Sequence, residues 1–263
     1  MRLDLYLVEH AFFESRSKAK NAILDGIVAV NGSITKKCSR LILETDQVTL
    51  VGAKMTYVSK GGLKLEKALK TFGIDLNQKK MVDIGSSTGG FCDCALQHGI
   101  SHIVAIDVGK DQFAESLRNH PKIDLREETD FRTIDSLSLS EVTIATIDVS
   151  FISVTKLMTK LASLSSLQEI ICLIKPQFEC GKEIADRYRG VVLNQKVHEE
   201  VIATVIDSFQ TIGFACRNLT FSPIQGGSGN IEYLGYFQKG AVSQSISISE
   251  VVVEAFHFFH EKH

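Results

Sequence analysis

Apolar positions along this chain fall into two rhythms, one for each end. At the start the spacing is helical: Leu3, Leu5, Leu7 and Val8, then Ala11 and Phe12, share a face that is interrupted near Phe13-Glu14. Ser15 supplies a cap for a second helix over 16–24, with Ala19, Ala22 and Ile23 as its buried side. Gly26 stands where a helix end needs a residue that tolerates positive φ. The apolar stretches 27–30 and 33–35 then flank Asn31-Gly32, which predicts a hairpin with a type I′ turn. Residues 46–51 read as a closing strand, and 51–60 as a linker ending in a turn.

From Gly61 onward the rhythm alternates between helix and strand. Leu65, Ala68, Leu69 and Phe72 mark a helix over 63–72, and a second long helix covers 197–212. Runs that are apolar on consecutive positions follow at 81–84, 103–107, 123–127, 142–148, 170–174, 215–222 and 233–238. Strands apolar on both sides, separated by helices, predict a mostly parallel sheet covered on both faces. The last two are joined only by residues 223–232, too short for a crossover helix, so they must pair antiparallel. The fold class is therefore α/β, Rossmann-like, behind a small N-terminal α+β domain. This is also how the S-adenosylmethionine-dependent methyltransferase sheet ends. Beyond residue 240, Ser247 with Glu250 can form a capping box for a helix over 251–260, whose valines and phenylalanines suit packing on the body.

Chemistry enters at the first of these parallel strands. Val82-Asp83-Ile84-Gly85-Ser86-Ser87-Thr88-Gly89-Gly90-Phe91 is a strand running into a glycine-rich turn and a helix, where a ligand can lie against bare backbone. It lacks the spacing of a dinucleotide site or a P-loop. Asp107, about 20 residues further on and closing the next strand, is placed to accept both hydroxyls of a ribose. Together they suit a nucleoside-containing cofactor without a pyrophosphate, such as S-adenosylmethionine; read alone, the turn is equally an ordinary strand-to-helix connection. Four further polar residues stand at sheet ends or beside them. They are Lys64 on the preceding helix, Asp148 after the fourth strand, Lys175 after the fifth and Glu232 before the last. Ligands of such sheets bind outside the carboxyl ends of the strands, which brings Asp148 and Lys175 beside the cofactor. A lysine following four apolar residues is costly to desolvate without partners, and Asp148 and Glu232 would supply them.

Composition narrows the partners. The chain has 263 residues, 44% of them hydrophobic and 23% charged, which is ordinary for a folded globular protein. No run approaches a membrane span, and Met1-Arg2-Leu3-Asp4 opens no signal peptide, so a cytoplasmic protein without membrane association is expected. Six scattered cysteines include no C-x-x-C pair, so neither a metal site nor a disulfide framework is expected. Residues 1–60 hold nine Lys/Arg and six Asp/Glu, a net of +3, while the rest hold 20 and 25, a net of −5. A small basic module ahead of an acidic one suits an anionic partner.

Two resemblances follow from these residues. Arg-Leu-Asp at 2–4, Ser-Arg at 15–16 and the Gly-Ile-Val-Ala-Val-Asn-Gly turn at 26–32 resemble the small RNA-binding domain first known from ribosomal protein S-four, over residues 1–50. That resemblance implies RNA backbone contacts from Arg16, Lys18, Lys20, Lys36 and Lys37. The segments Tyr57 to Leu65, the glycine turn, Asp107-Val108-Gly109, Asp148 to Ser153, Lys175 to Glu179 and Gly229 to Tyr233 extend it. The whole chain resembles the TlyA-type family, an S-four-like domain fused to an FtsJ-like ribose 2′-O-methyltransferase over 61–240, long called hemolysins. The family implies S-adenosylmethionine as cofactor and ribosomal RNA or ribosomal subunits as partner. It also implies cytidine 2′-hydroxyls as targets and a catalytic set of Lys64, Asp148, Lys175 and Glu232. On the same basis Asp83, Gly85, Ser86, Thr88, Gly89, Gly90, Phe91, Asp107, Thr129, Asp130 and Asp148 are the cofactor-binding candidates. Where the family usually carries Thr-Asn, this chain has Thr129-Asp130.

The proposed chemistry has rivals. An exocyclic-amine methyltransferase favours Asn/Asp-Pro-Pro-Tyr/Phe after the fourth strand, where this chain reads Asp148-Val149-Ser150-Phe151. A carbon methyltransferase needs a cysteine nucleophile, for which Cys180 is the nearest candidate. A non-catalytic ribosome-assembly factor would use the basic domain but leave the four polar residues idle. A membrane-lytic protein would need apolar segments that are absent.

Overall fold

The computed structural model describes residues 1–13, 15–24, 26–43, 45–51, 56–242 and 244–260. Of the predicted features, Glu14 at the helix break, positions 52–55 of the linker, and Ser243 with 261–263 of the tail lie outside the described residues. The chain divides into two compact units, Met1–Thr56 and Tyr57–His263.

In the first unit α1 (Leu3–Glu9) and α2 (Arg16–Leu24) precede a three-stranded antiparallel sheet of β1 (Val28–Val30), β2 (Ser33–Ile34) and β3 (Val48–Leu50), ordered β2-β1-β3. Leu3, Leu7, Ala19, Ile23, Val28 and Val30 are fully buried between helices and sheet. Ser15 Oγ accepts from the Lys18 N–H at 3.3 Å, the expected cap of α2. Asn31 and Gly32 take φ of 54° and 75°, both positive as a type I′ turn requires. The first helix ends earlier than the apolar pattern suggests. Ala11 turns left-handed at φ 56°, and the Phe12 N–H folds back onto the Leu7 carbonyl at 2.9 Å, which tucks Phe12 and Phe13 against the core. A buried acid crosses the helix pair. Asp4 is fully buried and accepts from Arg2 Nε at 3.0 Å and Arg16 Nε at 2.8 Å. These two guanidiniums hold its carboxyl down at about 2.

The second unit is built on a seven-stranded sheet. Its elements run α3 (Gly61–Phe72), β4 (Lys80–Ile84), α4 (Gly90–Gln97), β5 (His102–Ile106), α5 (Glu115–Arg118), β6 (Ile123–Arg126) and β7 (Ile144–Ile147). They continue with α6 (Met158–Ala162), β8 (Glu169–Ile174), α7 (Pro176–Glu179), α8 (Lys182–Arg187), α9 (Gln195–Thr211), β9 (Phe214–Phe221), β10 (Tyr233–Lys239) and α10 (Ile248–His260). The order is β6-β5-β4-β7-β8-β10-β9, parallel through β8, with β10 antiparallel to both neighbours. Alternate strand residues feed two cores, the result of a period of two in strands buried on both faces. Val82, Ile84, Ala145, Ile147, Ile170 and Cys172 pack with α9 and α10, whereas Met81, Ile103, Ile144 and Ile171 pack with α3 and α4. In α10, Val252, Ala255 and Phe256 are buried in the first of these cores, so the tail packs onto the body.

Strand reversal sets the site. Tyr233 at the start of β10 pairs with Ile174 at the end of β8 and with Phe221 at the end of β9. Glu232 therefore arrives at the same rim as Lys175.

Candidate active site

Two cavities open along the carboxyl ends of the parallel strands. A smaller one, about 380 Å³, lies where β4 and β5 end and is lined by Gly85, Asp107, Gln112, Asp130, Asp148 and Leu157 among others. A larger cleft, about 900 Å³, is lined by Lys64, Asp148, Lys175, Gln177, Lys182 and Glu232 among others. Ser87, Asp148, Ser150, Phe151 and Ile152 line both, so the two spaces meet at the Asp148 loop.

The smaller cavity fits a nucleoside. Gly85 sits at φ +85°, and a Cβ there would come within 2.5 Å of the Asp148 carbonyl oxygen, so the turn must be bare to pass under the loop. The Asp107 carboxylate is fixed at the mouth by the Ser87 and Gly109 N–H groups, each at 2.7 Å. That orientation suits a carboxylate meant to meet vicinal hydroxyls. Ser86 Oγ is buried without a partner among the described residues. Thr129 and Asp130 form the far wall, and the Asp130 carboxylate accepts from the Arg132 backbone N–H (2.9 Å) and its Nη2 (2.6 Å). Arg132 holds that carboxyl below its ordinary range. Asp130 thus brings a carboxylate acceptor to the cavity wall, with a guanidinium donor beside it.

Other predicted turn residues serve the scaffold. Asp83 is fully buried beneath the turn, accepting from Thr146 Oγ1 at 2.7 Å and from the Cys92 thiol at 3.1 Å, and burial raises its carboxyl to about 6. Phe91 belongs to the core under α3 and α4. Gly89 faces the Phe113 ring, and Gly90 lies so near the Ser59 hydroxyl that a Cβ would fall 2.3 Å from it. Thr88 is exposed beside them and lines neither cavity.

In the cleft the four polar residues form two pairs. Lys64 Nζ donates to Glu232 Oε2 at 2.6 Å, with the two side chains 10% and 3% exposed. Lys175 Nζ lies 2.5 Å from Asp148 Oδ1 and donates to Ser150 Oγ at 2.9 Å. A buried ion pair is retained at a cost in desolvation, so two of them on one cleft mark chemistry better than stability. The pairs have the electrostatics to hold a lysine amine against a hydroxyl.

The loop carrying Asp148 is braced. Glu179 Oε2 accepts from Ser153 Oγ at 2.6 Å and Oε1 from the Val154 N–H at 2.8 Å. Phe151 is left-handed at φ 65° and 92% exposed, its ring 5.1 Å from that of Phe178. Ser150, Phe151 and Gln177 were not singled out from sequence, although all lie inside segments that were. Val108 and Gly109 of the smaller cavity lie inside the 107–109 segment, while Gln112 and Arg132 carry no signal in the sequence.

On the first unit Arg16, Lys18, Lys20, Lys36 and Lys37 are all exposed. The Cys38 thiol donates to the Lys20 carbonyl at 3.8 Å, drawing Cys38 beside the middle of α2. Arg16 is committed in part to Asp4, so part of its donor capacity goes to holding the two helices together.

Residues 57–239 match the FtsJ-like methyltransferase family and residues 1–48 the S4 domain. The chain is 43% identical to YqxC of Bacillus subtilis over 99% of its own length and 96% of that protein. It is 37% identical to the 23S rRNA (cytidine-2'-O)-methyltransferase TlyA of Campylobacter jejuni, covering 91% of this chain and 100% of the relative. A solved structure from Streptococcus thermophilus, 37% identical, superposes with a TM-score of 0.79 over 100% of this chain and 98% of its own. The chain belongs to the FtsJ-like methyltransferase family, with an S4 domain at its N-terminus.

Proposed function

We propose that this protein is a ribosomal RNA ribose 2′-O-methyltransferase that transfers a methyl group from S-adenosylmethionine to a cytidine 2′-hydroxyl. The observation that carries the reading is the meeting of Lys175, Asp148 and Ser150 where the nucleoside-sized cavity opens into the cleft. The TlyA relative named for this reaction on 23S rRNA supports it. A ribosomal substrate implies work in the cytoplasm, and no helix among the described residues is long and apolar enough to cross a membrane.

Gly85, Asp107, Thr129, Asp130 and Asp148 would hold the cofactor, with Asp107 toward the ribose and Asp130 toward the adenine amine. When bound, S-adenosylmethionine supplies a methyl group on a positively charged sulfur. The Asp148 carboxylate, shared by both spaces, favours that positive charge. A ribose hydroxyl is a poor nucleophile at neutral pH, so alignment and removal of its proton are the work left to the chain. Lys175 would be the group nearest the 2′-oxygen with Asp148 holding it there, while Lys64 and Glu232 line the same cleft. Phe151 offers a face for an unstacked base, the usual way single-stranded RNA is held. Arg16, Lys18, Lys20, Lys36 and Lys37 dock phosphates and position the enzyme without reading sequence.

The test is Lys175→Ala. It should lose methyl transfer to ribosomal subunits while binding S-adenosylmethionine normally by calorimetry. Nuclease digestion and mass spectrometry of the wild-type product should place the methyl on ribose. A methyl on the base, or transfer that survives the substitution, overturns the reading.

A further inference from the structure

Lysine Nζ is tetrahedral, with one position taken by its own Cε and three left to partners. On Lys175 two of those three are occupied, by Asp148 Oδ1 at 2.5 Å and Ser150 Oγ at 2.9 Å. No third hydrogen-bond partner is present among the described residues, and the Phe178 ring lies 5.8 Å away to one side. Lys175 lines the cleft. We propose that Ser150 is a positioning residue which, with Asp148, locks the rotation of the Lys175 amine so that its remaining position points at the ribose 2′-oxygen. The inference rests on the 2′-O-methyltransferase reading above and adds a residue to it.

The chemistry requires such a lock. A neutral amine has two N–H bonds and one lone pair, and only the lone pair can take a proton. Asp148 alone would fix one N–H and leave the lone pair free to swing about that bond. Ser150 takes the second N–H, and the lone pair then has one direction. In the transfer the 2′-O–H pair stays on oxygen and forms the bond to the methyl carbon. The S–C pair stays on sulfur, and the proton goes to the Lys175 lone pair, leaving an ammonium whose three N–H bonds keep the same three directions.

The surroundings support a designed contact. Ser150 lines both cavities and sits in the stretch that Glu179 pins through Ser153 and Val154. Phe151, next to it, holds a left-handed backbone that only a braced loop sustains. Charged groups facing Lys175 are Asp148 in direct contact, the Lys64–Glu232 pair, and Lys182, Asp186 and Arg189 lining the same cleft. Substitution of Ser150 leaves all of them in place, so a changed pH response reports on the one hydrogen bond removed.

The experiment compares wild type, Ser150→Ala and Ser150→Thr by single-turnover methylation of ribosomal subunits from pH 6 to 10. In parallel, acylation of Lys175 by acetic anhydride is followed against pH by peptide mass spectrometry. Ser150 accepts more strongly from an ammonium than from an amine, so its loss should move the acid limb of the rate profile down by about half to one pH unit. The plateau rate should fall about tenfold through the freed rotation, with KM for the subunit unchanged. The acylation profile should move in the same direction, and Ser150→Thr should restore both. Profiles for Ser150→Ala that superimpose on wild type overturn the proposal even if the rate falls, because general loosening slows transfer without moving the limb. A wild-type enzyme that leaves ribose unmethylated refutes the proposed function instead, and the acylation profile still decides whether Ser150 governs Lys175.

Discussion

Gly226 offers a way to disturb the Lys64–Glu232 pair without altering either member. Its backbone sits at φ −72° and ψ −173°, a region open to any residue, so alanine is allowed by the main chain. Space is what forbids it. A Cβ at Gly226 would lie 2.0 Å from Glu232 Oε1 and 2.5 Å from Cδ. Ordinary contact begins near 3.4 Å, so the carboxylate must retreat by about 1.4 Å. The bond to Lys64 Nζ is 2.6 Å long, and a shift of that size breaks it. Breaking a buried pair costs about 3–5 kcal/mol when the charges are stranded, and somewhat less here, about 2 kcal/mol, because the cleft admits water. A displacement of about 1 Å in a positioned group costs about 100-fold in rate. Gly226→Ala should therefore lower kcat for methyl transfer about 100-fold while calorimetric binding of S-adenosylmethionine is unchanged, since Gly226 lines neither cavity. Gly213→Ala is the matched control: its φ is +84° with nothing within 4 Å of a Cβ, so it should cost about 1 kcal/mol of stability and leave the rate alone. A Gly226→Ala enzyme turning over within threefold of wild type would refute this account of the pair.

Other expectations follow from the charges. Asp4 is held at about 2 against an ordinary 3.8, so its stabilisation is complete above pH 4 and lost as pH falls through 2. Asp4→Asn should cost the N-terminal unit on the order of 2 kcal/mol at pH 7 and little at pH 2, measured by urea unfolding. Asp83 has the opposite sign: its carboxyl is raised to about 6, so the folded state gains stability as pH drops from 7 toward 4. Asp83→Asn should remove this carboxyl's share of the rise, seen as a smaller gain in melting temperature between pH 7 and pH 4 than wild type shows. Replacing Lys18, Lys20, Lys36 and Lys37 by alanine should weaken RNA binding alike for all sequences. The slope of log K against log salt should fall by about 0.7–0.9 for each phosphate no longer neutralised.

Much of the fold was open to a reader of the sequence because its strands are apolar on consecutive positions and their connections are short. The antiparallel final pair follows from a ten-residue gap between 223 and 232, which no crossover helix fits. That same reversal is why Glu232 could be set beside Lys175 by counting strand ends. What stayed hidden depends on contacts distant in sequence. The end of α1 at Glu9 is made by a left-handed Ala11, a conformation that alanine does not advertise. Gly89 and Gly90 look like ligand glycines but are small because Phe113 and Ser59 crowd them. The short helices α7 and α8 carry too few residues for periodicity to show, and α8 buries none of its side chains. Ser150 is one serine among many until the fold sets it against Lys175. The Asp130 carboxylate could be read as an acceptor, but its pairing with Arg132 could not.

The reversed strand β10 also gives the second unit a working rim and an idle one. Every connection that leaves a parallel strand at its carboxyl end borders one or both of the two cavities, and 223–232 borders the larger. The opposite rim carries the turns around Gln78, Ser101, Lys122, Thr143, Gln168 and Gly213, where the parallel strands and β9 begin and β10 ends. A fluorophore or affinity tag placed in those idle turns rides on the same sheet as the chemistry without bordering it. Conversely, 223–232 is a single stretch that borders the larger cleft and leaves the smaller cavity untouched. Grafting that stretch between relatives should transplant substrate choice and leave cofactor affinity where it was.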